Sequence, residues 1–140
     1  METLELSKSI QINSKTENIT LVEKLIDEVC EEHKVNEDYY GNILIAITEA
    51  VNNAILHGNK NNPDKLVKIH VETVSNKHLS FKISDQGKGF DYDGLPDPTD
   101  PENLEKPNGR GVFLMKNLAD EVKFFDNGTT VELKFTAHAN

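Results

Sequence analysis

The chain has 140 residues, the usual size of one domain. A chain this long buries about 68–70% of its unfolded surface and can hold a core unaided. The balance of 15 Lys+Arg against 24 Asp+Glu leaves a net charge of −9, which argues against a binder of nucleic-acid backbones, since that needs a basic face. Cys30 is the only cysteine, so the sequence offers neither an internal disulfide nor a thiolate metal cluster. No apolar run approaches about 18 residues, and Met1 to Ile10 lack an apolar leader segment. The expectation is a soluble, cytoplasmic protein with one domain over 1–140.

The elements follow from periodicity. Leu4, Leu6, Ile10 and Ile12 alternate with polar residues, as in a half-buried strand. Ser14 and Glu17 have capping-box spacing. Ile19, Val22, Ile26 and Val29 then recur at helical intervals, predicting a helix from about Glu17 to His33. Asn36 is a suitable N-cap for a second helix, whose first turn carries Glu37 and Asp38. Ile43, Ile47, Val51, Ala54 and Ile55 share one face of it, and Gly58 is the expected C-terminal stop.

Val67, Ile69, Val71 and Thr73 alternate, as do Leu79, Phe81 and Ile83, with Ser75-Asn76-Lys77 between them as a hairpin turn. The stretch from Gln86 to Asn108 holds four of the five prolines and is expected to be a long irregular loop, which inside a compact domain points to function. Gly109 to Asp120 reads as a short helix with Val112, Met115 and Leu118 in phase. Val122 and Phe124, then Val131, Leu133 and Phe135, flank Asp126-Asn127-Gly128, whose Asn-Gly pair signals a hairpin. The order β-α-α-β-β-loop-α-β-β implies a two-layer α/β sandwich, with a mixed, mostly antiparallel sheet covered on one face by helices.

Four short stretches carry chemistry. Glu49 and Asn53 are neighbours one helical turn apart and point away from the Ile43/Ile47/Val51 stripe. An amide oxygen can ligate Mg2+, and a carboxylate can accept a proton. Ile45 and Leu56 flank Glu49, so a cover over that face is expected. Asp85 ends the Phe81/Ile83 strand, and Gly87 and Gly89 after it let the backbone approach a flat ligand. An ionised carboxylate only accepts hydrogen bonds, which suits an exocyclic amine such as that of adenine. Gly109-Arg110-Gly111 opens a helix with free N–H groups and a cation, a phosphate-binding arrangement. No G-K-[ST] follows it, so it is not a Walker A loop. Thr129 and Thr130 follow the last turn and can reach a ligand.

Each stretch alone also fits a plain structural role. Their order is more specific: E-x-x-x-N on a helix, D-x-G-x-G after a strand, a Pro-rich loop, G-x-G opening a helix, then G-T-T. In that order the chain resembles the histidine-kinase-like (GHKL) ATPase superfamily. Within it, Glu49 to Gly58 (EAVNNAILHG) and Gly109 to Met115 (GRGVFLM) resemble bacterial anti-sigma factors that are also serine-protein kinases. The resemblance runs from about Leu4 to Phe135.

That resemblance implies Mg2+ and ATP as cofactors, with Asn53 as the metal ligand and Glu49 as general base. It implies that Asp85 holds the adenine amine, with Gly87 and Gly89 shaping the purine pocket. Gly109 and Gly111 would turn the ATP lid (about 86–108) around the phosphates, with Arg110 and Thr130 as further contacts. It also implies a small anti-anti-sigma (STAS) substrate phosphorylated on serine or threonine, a sigma factor as the alternative partner, and a homodimer. Asn52 stands beside Asn53, but the spacing from Glu49 favours Asn53.

Other readings stay open. A nucleotide-gated binding protein without kinase activity fits the same residues. A detached histidine-kinase catalytic module is a further alternative, although His33-Lys34 does not match a phosphoacceptor helix. Lys88-Gly89-Phe90-Asp91-Tyr92 partly mimics an RNA-recognition signature, but the net charge and the carboxylates of Asp91 and Asp93 oppose it. His57 borders the Glu49/Asn53 region or caps the helix end. His70, His78 and His138 show no metal spacing.

Overall fold

In the computed structural model, residues 7–75, 78–87 and 107–136 are described. They form β1 (Ser7–Asn13), α1 (Ile19–Glu32), α2 (Glu37–Asn53), β2 (Leu66–Ser75), β3 (His78–Ser84), α3 (Pro107–Leu118), β4 (Glu121–Phe125) and β5 (Thr130–Thr136). The strands make one sheet in the order β1-β2-β3-β5-β4, and every pairing among the described residues is antiparallel. This is the expected two-layer α/β sandwich.

The register explains why the sheet has one apolar face. Ile10 faces Ile69, Ile69 faces Ile83, and Ile83 faces Val131. One step along, Val71 faces Phe81, Phe81 faces Leu133, and Leu133 faces Val122. Because side chains alternate with period two, these rows put their branched and aromatic residues on one side, while Phe125 of β4 points to the other and is exposed. Phe81 and Phe135 meet edge to face, with ring centroids 5.9 Å apart.

Over this face lie Val22, Leu25, Ile26 and Val29 of α1, Ile43, Ala46, Ile47, Ala50 and Val51 of α2, and Val112 and Met115 of α3, all buried. The opposite face is mostly polar, and Ser80 on it is fully buried and donates to the Glu132 carboxylate at 2.8 Å.

Helix ends depart from the sequence reading in informative ways. Asn36 caps α2 as expected, its Oδ1 accepting from the Asp38 N–H at 2.9 Å. Ser14 does not form a capping box. It is buried, and its hydroxyl donates to the Lys65 carbonyl at 2.8 Å, tying the end of β1 to the start of β2. A single 3-10 turn, Thr16–Asn18, leads into α1 instead.

Gly58 is not a left-handed stop. After Asn53 the backbone widens into a π turn over Ala54–Gly58, closed by the Asn59 N–H on the Ala54 carbonyl at 2.8 Å. The left-handed residues come later, at Lys60 (φ 51°) and Asn61 (φ 59°).

The β4–β5 connection is also not a two-residue turn. Asp126–Gly128 form a 3-10 turn, with left-handed backbone at Asp126 (φ 52°) and Gly128 (φ 88°). Leu4 and Leu6, Asn76 and Lys77, and 88–106, including Lys88, Gly89 and most of the expected ATP lid, lie outside the described residues.

Candidate functional site

A cleft opens between the C-terminal half of α2, the exit of β3, α3 and the β4–β5 turn. Its volume is about 530 Å³ when the solvent-open mouth is included. Ile83, Val112, Met115, Phe124 and Val131 give it apolar walls. Asn53, His57, Asp85 and Thr129 supply side-chain polar atoms. Such a slot, apolar with a few convergent polar groups, suits a flat aromatic ligand with a polar edge.

Asp85 sits where β3 leaves the sheet, its N–H donating to the Thr129 carbonyl at 2.9 Å. Its Oδ1 accepts from the Gly87 N–H at 2.8 Å. Burial pushes the Asp85 carboxyl above its ordinary pKa. The Gly87 N–H and the charge of Lys65 pull it partly back.

Two glycines make room for this carboxylate. A Cβ on Gly58 would overlap the Asp85 carboxylate, and a Cβ on Gly87 would overlap the Gly58 carbonyl. The π turn after α2 and the turn after β3 are therefore in close contact: Gly87 meets the Gly58 backbone, and Gly58 meets the Asp85 side chain.

Asn53, the last residue of α2, is half-buried and lines the cleft. Ala50, one turn before it, forms part of the same wall. Glu49 is half-buried on α2 and is not among the lining residues. Ile45, expected near it under a cover, is 48% exposed. His57, on the π turn, faces the cleft, and burial lowers its pKa so that the neutral ring is favoured.

Gly109, Arg110 and Gly111 are not the opening of their helix. α3 begins at Pro107, which suits a first helical position because proline lacks the N–H that would go unused there. The three residues form the backbone of the first turns of α3, beside Val112 of the cleft wall; the Arg110 side chain lies outside the described part. Thr130 Oγ1 is paired with Ser84 Oγ at 3.0 Å across the β3–β5 ladder, while its neighbour Thr129 lines the cleft.

The sequence reading missed the cleft walls and Asn59. Val112, Met115 and Phe124 look like ordinary core positions in sequence. Asn59 follows the helix stop and looks like loop.

The donor set fits a magnesium nucleotide. The acceptor carboxylate is floored by glycines, with one oxygen already held by an N–H and the other facing Gly58. The Asn53 amide borders the same space. An amide oxygen is a hard ligand of the kind Mg2+ takes when it keeps most of its waters.

The family description "Histidine kinase-like ATPase domain" matches residues 12–135, nearly the whole chain. This chain belongs to the histidine kinase-like ATPase domain family. The match runs from the end of β1 to the end of β5 and takes in both sides of the cleft. Among its relatives are proteins named serine-protein kinase RsbW from Staphylococcus aureus, for example strain JH9 and strain Newman. Each is 29% identical over 132 residues, covering 89% of this chain and 82% of the relative.

Solved structures share the fold. The crystal structure of the RsbU and RsbW domains of Rv1364c from Mycobacterium tuberculosis superposes with a TM-score of 0.65 at 17% identity, covering 96% of this chain. The histidine kinase domain of the Erythrobacter litoralis EL346 blue-light activated histidine kinase gives 0.53 at 18% identity, covering 90%. This chain spans 34% and 62% of those longer chains. Among the described residues, no helix of this histidine kinase-like ATPase domain is long and apolar enough to cross a membrane.

Proposed function

We propose that this chain is a cytoplasmic anti-sigma regulatory factor. It binds Mg-ATP in the α2–β3–α3 cleft and phosphorylates a serine or threonine of a small anti-anti-sigma (STAS) protein. In its other state it holds a sigma factor. The observation that carries the reading is that Asn53 and Asp85, from segments 32 positions apart in sequence, line one apolar cleft. The similarity to proteins named serine-protein kinase directs the nucleotide reading toward phosphoryl transfer to a protein.

Bound in the cleft, Mg-ATP supplies the phosphoryl group and the metal charge that offsets the charge on the phosphates. The chain's own residues do the rest. Ile83, Met115 and Val131 exclude water from the purine faces. Asp85 accepts a hydrogen bond from the exocyclic amine, and Gly58 and Gly87 leave it space. Asn53 offers its amide oxygen to the metal. The first turn of α3 offers free backbone N–H groups, among them that of Gly109, to the phosphates; Gly111, one position past Arg110, leaves the next turn without a side chain there, and the Arg110 cation adds charge. Glu49, one turn from Asn53, takes the proton of the incoming hydroxyl; a partner brings that hydroxyl close. Alignment and charge compensation provide the catalysis, as phosphoryl transfer requires. Most of the expected lid, Gly89 included, falls on 88–106, outside the described residues; the lid's role in this reading is to link nucleotide state to partner choice.

A second reading, a nucleotide-gated binder without transfer, draws support from Glu49, which lies off the cleft lining. One experiment separates the two. The chain is incubated with Mg-ATP and a STAS protein from its own genome, and the STAS protein is analysed by mass spectrometry. Phosphoserine or phosphothreonine dependent on both components supports the kinase. Nucleotide-dependent complex formation with an unmodified STAS protein overturns it in favour of the binder.

A further inference from the structure

Asn59 is 1% exposed, and each of its side-chain polar atoms is bonded. Its Oδ1 accepts from the Gln86 N–H at 2.7 Å. Its Nδ2 donates to Ser14 Oγ at 2.8 Å and to the Leu66 carbonyl at 3.0 Å. Its own N–H closes the π turn on Ala54 at 2.8 Å. The Ser14 hydroxyl in turn donates to the Lys65 carbonyl at 2.8 Å, and the Leu66 N–H donates to Gln86 Oε1 at 2.7 Å. One buried amide thus joins the end of β1, the start of β2, the end of α2 and the turn leaving β3.

A buried amide contributes little apolar burial, and it is tolerated only because every bond is made. Core packing alone would be served by an aliphatic side chain. What the amide uniquely supplies is direction. The Gln86 N–H belongs to the peptide between Asp85 and Gln86, so its acceptor fixes the orientation of the backbone that carries the Asp85 side chain. That peptide is held on one side by Asn59, while the Asp85 N–H is held on the other by the Thr129 carbonyl. Gly87, the next residue, then lies close enough for its N–H to grip Asp85 Oδ1.

We propose that Asn59 is the positioning residue for Asp85. Its amide aims the carboxylate into the cleft and so sets the preference for a 6-amino purine over a 6-oxo purine. The inference rests on the adenine reading of Asp85 given above and deepens it. Asn59 touches no ligand. It acts through the Asp85–Gln86 peptide, and it adds the segment after the π turn to the elements that determine base choice.

The test compares the affinities of Mg-ATP and Mg-ITP, measured by calorimetry on the full chain. ITP keeps the triphosphate and replaces the 6-amino group with an oxygen. The wild-type chain is expected to favour ATP at least tenfold. Asn59→Ala is expected to cut that ratio at least fivefold by weakening ATP more than ITP. Ser14→Ala removes two bonds of the same network, from Asn59 and to the Lys65 carbonyl, without touching Gln86; it lowers the melting temperature and keeps the wild-type ratio. Asn59→Asp keeps an oxygen toward the Gln86 N–H and retains the ratio within about twofold. If Asn59→Ala does not fold, Asn59→Ser, whose hydroxyl is too short to reach the Gln86 N–H, provides the same readout.

An unchanged ratio in Asn59→Ala or Asn59→Ser overturns the positioning role and leaves the adenine reading intact. So does an equal loss in Ser14→Ala, because it would mark a general loosening. A wild-type chain that binds both nucleotides equally overturns the adenine reading itself, and the role of Asn59 falls with it.

Discussion

Gly58 and Asp85 compete for the same space: a Cβ added to Gly58 would fall within the Asp85 carboxylate. The obstacle is the end of a short side chain that can rotate away. Gly58→Ala is therefore expected to keep the fold while turning Asp85 out of its place. ATP affinity measured by calorimetry should fall at least tenfold with a melting temperature within a few degrees of wild type. Gly87→Ala differs in kind, because its Cβ meets the backbone carbonyl of Gly58, which cannot rotate away. That variant is expected to lose about 1–3 kcal/mol of stability. Equal stability of the two variants would refute the distinction.

Replacing Asp85 by Asn should separate stability from binding. Burial raises the Asp85 pKa, so the folded chain holds that proton more tightly than the unfolded chain does. The sign follows from linkage. Ionised Asp85 weighs against the folded state at neutral pH, and the burden lifts as pH falls through the raised value. Asn keeps an oxygen for the Gly87 N–H and carries no charge. Asp85→Asn without ligand should therefore melt above wild type at pH 7, and the gain should vanish in acid. Its ATP affinity should drop about 10–150-fold, the value of a hydrogen bond to a charged group of about 1.5–3 kcal/mol. A variant with lower stability at pH 7, or with undiminished affinity, counts against the assignment.

Asn53 and Glu49 are neighbours on α2 with different expected roles, and kinetics can distinguish them. Asn53→Ala should abolish the Mg2+ dependence of nucleotide binding, read as affinity with and without the metal. Glu49→Gln should bind nucleotide as wild type does and slow phosphoryl transfer by about 10²–10⁴-fold, the usual contribution of a general base. Full transfer by Glu49→Gln would remove it as the base. Retained metal dependence in Asn53→Ala would remove Asn53 as the ligand.

Local pattern made much of this fold legible. Period-two alternation in Val67–Val71 and Val131–Phe135 fixed both strands and their buried face, because a register slip would have turned that face to water. Asn36 was readable as a cap because capping is settled within three residues. What the sequence hid depends on distant partners. Ser14 has capping spacing, but the Lys65 carbonyl, 51 residues away, claims its hydroxyl. Gly58 reads as a stop, yet its lack of a side chain matters because of Asp85, 27 residues on. Thr129 and Thr130 differ by one position, and only the start of β5 decides that Thr130 pairs with Ser84 while Thr129 borders the cleft. The Asn-Gly pair pointed to the right place for a turn, but the left-handed residues proved to be Asp126 and Gly128.

His57 offers a test of the cleft that needs no ligand. It faces the cleft beside Asp85, and burial lowers its pKa. A lowered histidine pKa means that the unfolded chain takes up the proton first as the solution is acidified. Stability is then intact above the unfolded value, near 6.5, and is lost as pH falls from there through the folded value. Asp85 acts in the opposite sense in acid, so the comparison belongs in the Asp85→Asn background. There, the chain with His57 should lose melting temperature more steeply between pH 7 and pH 5 than the chain with His57→Gln, while the other histidines cancel between the two. Parallel curves would mean that the imidazole is charged as easily in the folded chain as in water, and that the walls around it do not exclude solvent.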